Sequence, residues 1–152
     1  MKLLLLVLFS FTTILKATEY KLPYDYPLET CLSCGDALGD APAILINGGR
    51  QLKFCCLDCV GSYTKSPETM ISNLEEQIKI SLRDKYPLKT CVISGHELGS
   101  MGEPVEWVHG NTLVKFCCGA CIEKFEASPD KFLQMINPDS SGFPDHFIPR
   151  KP

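Results

Sequence analysis

A six-residue stretch occurs twice in the chain, Phe54-Cys55-Cys56-Leu57-Asp58-Cys59 and Phe116-Cys117-Cys118-Gly119-Ala120-Cys121, and it restricts the fold more than any other feature. In both copies the outer cysteines are four residues apart, so on a nascent helix their sulfurs share one face and can grip one ion together. The chain of 152 residues carries nine cysteines. That abundance leaves a metal-binding or a disulfide framework as the main explanations.

The repetition extends well beyond the cysteine cluster. Tyr26-Pro27-Leu28-Glu29-Thr30-Cys31, continuing to Gly35, Leu38 and Gly39, returns sixty residues later as Tyr86-Pro87-Leu88-Lys89-Thr90-Cys91, Gly95, Leu98 and Gly99, with eight of fourteen positions identical. The second half of the frame recurs at an offset of 62: Lys53-Phe54-Cys55-Cys56 with Lys115-Phe116-Cys117-Cys118, Cys59 with Cys121, Ser66-Pro67 with Ser128-Pro129. Internal duplication follows. The two extra residues fall between Asp40 and Gly48 or their counterparts, where Asn47-Gly48-Gly49 and His109-Gly110-Asn111 are hairpin-turn material and loops absorb insertions.

Around those turns, Ala43 to Ile46 and Gln51 to Phe54 read as strands, as do Pro104 to Val108 and Leu113 to Phe116. Each hairpin leads into a cysteine cluster, and short helices are expected over Leu57 to Tyr63 and Ala120 to Glu126. Ser66-Pro67-Glu68 and Ser128-Pro129-Asp130 restart a helix, with Ser as cap, Pro at the first position and an acid in the first turn. A longer helix from residue 67 to about 83 carries Met70, Ile71, Leu74, Ile78 and Leu82 at helical spacing, a packed face on a segment that bridges the two modules. The fold class is therefore α+β, built as two small duplicated modules. The division is 18–25 as a leader, 26–83 as the first module with its linking helix, 84–136 as the second, and 137–152 as an irregular, proline-rich tail.

In the first module the cysteines are spaced Cys31-x2-Cys34, twenty residues, Cys55-x3-Cys59. Two cysteines on a turn and two at a helix start, joined by a hairpin, are how a tetrahedral four-thiolate zinc site is assembled. A module of roughly 45 residues has little core, so a metal contributing on the order of 10 kcal/mol would matter to its folding. In the second module Cys91, Cys117 and Cys121 match Cys31, Cys55 and Cys59, but Ser94 stands where Cys34 would. His96 is then either a fourth ligand or a solvated loop histidine. Three thiolates with a replaceable fourth ligand suit Cu(I) or an exchangeable zinc, so the first cluster is expected to be closed and structural and the second more open. Cys56 and Cys118 are expected on another face, as small thiols packed under the helix, with a ligand or redox role as the alternative. His109, in a turn, and His146, in the tail, read as surface residues.

The N-terminus, Met1-Lys2 followed by an apolar run from Leu3 to Leu15, reads as a secretory signal over 1–17 with cleavage after Ala17. Removing it takes away Lys2 and Lys16 and moves the net charge from −3 to −5. A periplasmic or secreted location follows, with no membrane association beyond that segment. The mild acidic balance carries no nucleic-acid footprint. An oxidising compartment makes disulfides the competitor to metal, although nine is odd and adjacent cysteines are awkward to bridge to each other.

The frame Tyr-Pro-Leu-x-Thr-Cys, with Cys34-Gly35 or Ser94-Gly95 three residues on, then Phe-Cys-Cys-x-x-Cys and Ser-Pro with an acid, resembles tandem YHS-type metal-binding domains, close to the TRASH domains of metal trafficking and sensing. Residues 86–136 match best, 26–74 match with the added Cys34, and the Cys34, Cys55, Cys59 spacing is similar to the three-cysteine TRASH pattern. The two copies cover roughly two-thirds of the chain. The resemblance implies a treble-clef-like hairpin and helix in each module and binding of zinc, copper or a related heavy metal. Ser94 departs from that pattern.

The expected function is metal handling by an exported protein, as chaperone or buffer, with a metal-transport or metal-requiring protein as partner. The alternatives are a structural-zinc interaction module, and a disulfide-stabilised or thiol-redox protein using Cys31-Leu32-Ser33-Cys34. No Ser-His-Asp arrangement, phosphate loop or recognisable carboxylate pair suggests an enzyme.

Overall fold

In the computed structural model the structure describes residues 24–137. The signal, most of the leader and the tail predicted from the sequence lie outside those residues, except for Tyr24, Asp25 and Asn137. The elements run β1 (Ala43–Asn47), β2 (Arg50–Phe54), α1 (Leu57–Lys65), α2 (Pro67–Leu82), a 3-10 turn (Arg83–Lys85), β3 (Val105–His109), β4 (Thr112–Phe116), α3 (Ala120–Glu126) and α4 (Pro129–Ile136). The architecture is α+β, with two antiparallel hairpins and four helices among the described residues. None of the helices there is long and apolar enough to cross a membrane.

The hairpins form where the turn residues permit. β1 pairs with β2 from Ala43 opposite Phe54 to Asn47 opposite Arg50. The two loop residues, Gly48 and Gly49, both have positive φ, as a type I′ turn requires. β3 pairs with β4 from Val105 opposite Phe116 to His109 opposite Thr112, and here only Gly110 has positive φ, which fits a type II′ turn. An isolated hairpin is marginal in water, so each needs a surface to pack on.

That surface comes from the helices and from the other half of the chain. Leu52, Phe54, Tyr63, Leu74 and Ile78 form one core together with Val108 and Leu113 of the second hairpin. The apolar stripe predicted on α2 is confirmed, with Leu74 and Ile78 fully buried and Met70, Ile71 and Leu82 packed at the margin. The second core gathers Val114, Phe116, Phe125, Leu133 and Ile136. Phe116 lies edge-on to Phe125 at 5.4 Å between ring centres.

Polar contacts fasten the same seam. Asn111, 3 % exposed, donates from Nδ2 to the carbonyls of Gln51 at 2.7 Å and Tyr24 at 3.0 Å. The Tyr24 carbonyl also accepts the Gln51 N–H at 3.1 Å, so the end of the leader is part of the seam between the hairpins. Arg83 grips Glu106 with Nε and Nη2 at 2.8 to 3.1 Å, and Lys115 donates to the Arg83 carbonyl at 2.9 Å, which ties the end of α2 to β3 and β4.

Two sequence expectations differ from the structure. Ser66 and Ser128 do stand at the N-cap positions of α2 and α4, but neither hydroxyl caps its helix, and Ser128 Oγ donates to the Ala127 carbonyl instead. The closely preceding helices α1 and α3 leave each serine in a tight corner where the cap geometry is not reached. His109 is half-buried, not a solvated turn residue. It ends β3 and lies between the rings of Tyr24 and Phe125, at 5.6 and 5.3 Å, and burial lowers its pKa from the usual value despite the opposing charge of Asp130.

Candidate metal centres

Each cysteine group is assembled from a tight loop and a helix start. In the first loop the Cys31 N–H donates to the Asp36 carbonyl at 2.7 Å, the Gly35 N–H to the Cys31 carbonyl at 2.9 Å and the Leu38 N–H to the Glu29 carbonyl at 2.9 Å. The second loop repeats these bonds with Cys91 to His96 at 2.8 Å, Gly95 to Cys91 at 2.8 Å and Leu98 to Lys89 at 2.9 Å. Gly35 and Gly95 close the loops at φ of 78° and 74°, a conformation that costs other residues. The loop therefore holds its cysteines in place through its own backbone.

The Leu32 N–H then donates to the Lys53 carbonyl at 3.1 Å, which sets the first loop against β2 just before Cys55. Phe54 and Phe116, wholly buried, anchor the strand ends. The chain turns from there into α1 and α3, so Cys55 and Cys59, and likewise Cys117 and Cys121, face back toward the loop.

The sulfurs of Cys31, Cys34, Cys55 and Cys59 all lie within 4.8 Å of one another, as do those of Cys91, Cys117 and Cys121. Cys34 and Cys55 are 3.5 Å apart, Cys55 and Cys59 3.6 Å, and Cys117 and Cys121 3.9 Å. A Zn–S length of about 2.3 Å puts the sulfurs of a tetrahedron about 3.8 Å apart. The observed spacings suit thiolates arranged around one ion. All nine cysteines are free thiols in this structure.

In the second group Ser94 occupies the corner that Cys34 fills in the first. Its Oγ lies 3.2 Å from Cys117 Sγ. His96, the other sequence candidate for that corner, is exposed and not brought into the group. It serves the loop through its main chain, accepting from Cys91 N–H and donating from its own N–H to Ser94 Oγ at 3.3 Å. Asp36 accepts the corresponding bond in the first loop, so the loop uses the backbone of that position and not its side chain.

The order of burial is the reverse of that expected from the ligand count. Cys91, Cys117 and Cys121 are all buried, at 1, 3 and 6 % exposure, inside the core that Leu133 and Ile136 of α4 help to close. In the first group only Cys31 is buried, Cys55 and Cys59 are half-buried, and Cys34 is exposed. Burial here follows what packs over the cysteines, which ligand spacing does not encode.

Cys56 and Cys118 also stand elsewhere than under their helices. Cys56 is exposed at the N-cap of α1, 3.8 Å from Cys55 Sγ. Cys118 is half-buried, 3.8 Å from Cys121 Sγ and 4.0 Å from Cys117 Sγ. The pairing of Cys56 with Cys59 and of Cys118 with Cys121, three residues apart across the first helical turn, was the sequence signal for this placement.

Electrostatics divide the thiols into two kinds. Burial alone would raise the Cys31 thiol, but N–H groups of Cys34, Cys55 and Ser33 and the Cys34 side chain outweigh it and hold the pKa at about 6. Cys91 is likewise held at about 6 against burial, by the Cys117 N–H, the Ser94 hydroxyl and the N–H groups of Ser94 and Ile93. Their partners move the other way. Burial and the neighbouring sulfurs push Cys121 up to about 12, the Cys56 side chain is the main cause pushing Cys59 to about 12, and the Cys34 thiol chiefly raises Cys55. Thiols this close cannot all ionise without a compensating cation. A bound cation would reverse that.

No family model, curated protein or solved structure matches this chain.

Proposed function

We propose that the chain is an exported metal-handling protein whose two cysteine groups bind zinc, copper or a related heavy-metal ion through thiolate sulfur. The observation that carries this reading is the convergence of four sulfurs, and of three sulfurs with the Ser94 hydroxyl beside them, to separations suited to one ion each. The recurring sequence frame supports assigning both halves to tandem YHS or TRASH-like modules with a treble-clef-like hairpin and helix. The apolar N-terminal run supports export to the periplasm or the exterior. In this reading Cys31, Cys34, Cys55 and Cys59 form the first site and Cys91, Cys117 and Cys121 the second, with Ser94 replacing His96 as the neighbour of the fourth position. The metal is cargo, buffered or passed to a metal-transport or metal-requiring protein, and no catalytic role is assigned.

A second reading is favoured by one observation: the second group is part of a hydrophobic core, as a structural zinc site would be. In that case the metal holds the fold and the surface recognises another protein. Elemental analysis with a free-thiol count on protein from its native compartment tests the first premise. Two ions per chain support metal binding, and no ion with at most one free thiol overturns it in favour of disulfides. Mild chelation then separates the readings, since a cargo site empties with the fold retained, whereas a structural site resists or the protein unfolds.

A further inference from the structure

Cys56 and Cys118 are the two thiols that the sulfur groups leave out, and each stands at the rim of its group. In the second half exposure increases from Cys91 at 1 % through Cys117 at 3 % and Cys121 at 6 % to the half-buried Cys118. Cys118 Sγ is within 4.0 Å of both Cys117 and Cys121, yet it is not among the sulfurs gathered around Cys91. The first half follows the same order from buried Cys31 through half-buried Cys55 and Cys59 to exposed Cys56, whose sulfur is 3.8 Å from Cys55, but it also has one exposed thiol, Cys34, within the group itself. Each group thus has a floor thiol, a shared middle pair and an outer thiol.

An ion held by several thiolates leaves slowly if all its bonds must be lost together. Exchange of one sulfur at a time forms a new bond as each old one breaks. Such a route needs a spare thiol that touches the resident ligands and is open to solvent, which describes Cys118 and Cys56. A mere packing role would have placed them beneath the helix.

We propose that Cys118, and Cys56 in the other half, are exchange ligands through which a soft or borderline metal ion enters and leaves the thiolate sites. The proposal rests on the metal-handling reading above. On entry the ion is held by Cys118 with Cys117 and Cys121. Its bond to Cys118 then breaks as a bond to Cys91 forms. Cys91 binds as a thiolate and Cys118 leaves as a thiolate, so one sulfur ligand replaces another with no change of oxidation state. On exit the order is reversed, and the outer thiol meets the acceptor, a small thiol or a cysteine-bearing protein.

The test is stopped-flow exchange of zinc between the full chain and a chromogenic chelator, 4-(2-pyridylazo)resorcinol, with and without a small thiol competitor. The second-site phase is identified as the one removed by Cys91→Ser and, independently, altered by Ser94→Cys. Cys118→Ser and Cys118→Ala, both checked for fold by circular dichroism, are expected to slow uptake and release in that phase by roughly tenfold or more. The ratio of the two rates, the affinity, is expected to shift by less than about threefold. Unchanged rates make Cys118 a bystander and overturn the proposal. A loss of affinity as large as that of Cys91→Ser makes it a resident ligand, which also overturns it. A wild-type chain that takes up no zinc defeats the metal-handling reading itself, a result distinct from either of these.

Discussion

Ser94 Oγ lies 3.2 Å from Cys117 Sγ, at the corner that Cys34 Sγ occupies 3.5 Å from Cys55 Sγ in the other half of the chain. One oxygen for one sulfur is the chief chemical difference between the two groups. A hydroxyl is a weaker ligand for zinc than a thiolate, and at exposed Ser94 it keeps a group whose three cysteines are buried less negative.

Ser94→Cys should therefore complete a four-sulfur site. We expect zinc affinity at the second site to rise at least about tenfold, since even outer-shell partners of a metal ligand are worth that much. Competition titration against a chromogenic chelator reads the change. An affinity equal to wild type would mean that residue 94 is not at the fourth corner.

Asn111 should be a stability residue, not a site residue. Asn111→Ala removes its two bonds to the Gln51 and Tyr24 carbonyls, at an expected cost of about 1–3 kcal/mol. Asn111→Asp should cost more, because it turns a carboxylate toward two carbonyl oxygens in a buried setting. Urea denaturation of the three proteins gives the ranking.

Gly110→Ala is predicted to loosen the seam between the hairpins. Gly110 has φ of 60°, and a methyl there would run into the Tyr24 ring. The expected cost is about 1–3 kcal/mol. Repeating the substitution in a Tyr24→Ala background should recover the steric part and leave the backbone part, a separation read from thermal unfolding.

The hairpins and helices were legible in the sequence because local signals set them: glycine turns, the restart at Ser-Pro, the stripe along α2. So was the pairing of Cys31 and Cys34 with Cys55 and Cys59, since a turn, a hairpin and a helix start leave few other ways to fold the spacing. What was not legible depends on contacts between distant segments. The place of His109 between Tyr24 and Phe125 needs residues from the leader and from α3. The burial of the second group needs Leu133 and Ile136 of α4. His96 suggested a ligand because histidine so often is one, whereas its position is used for a carbonyl.

The Arg83–Glu106 clamp predicts how stability changes in acid. Hydrogen bonding from Arg83 holds the Glu106 carboxyl below its usual value of 4.5, so the unfolded chain binds that proton more readily than the folded one. The contribution is present above about pH 4.5 and is lost as pH falls through the lower folded value. Glu106→Gln should be less stable than wild type at neutral pH, and the gap should narrow on acidification. Unfolding midpoints of the two proteins, compared at equal pH so that thiol and metal effects are shared, check the sign.

Val108 and Leu113 sit in the core beneath the first cysteine group although they belong to the second hairpin. Half of the chain thus borrows its floor from the other half. Cutting the connection near Arg83 to Tyr86 would not yield two working copies of a small unit, because the first fragment would keep its cysteines and lose part of what they rest on. The chain is repeated in its text and indivisible in its construction.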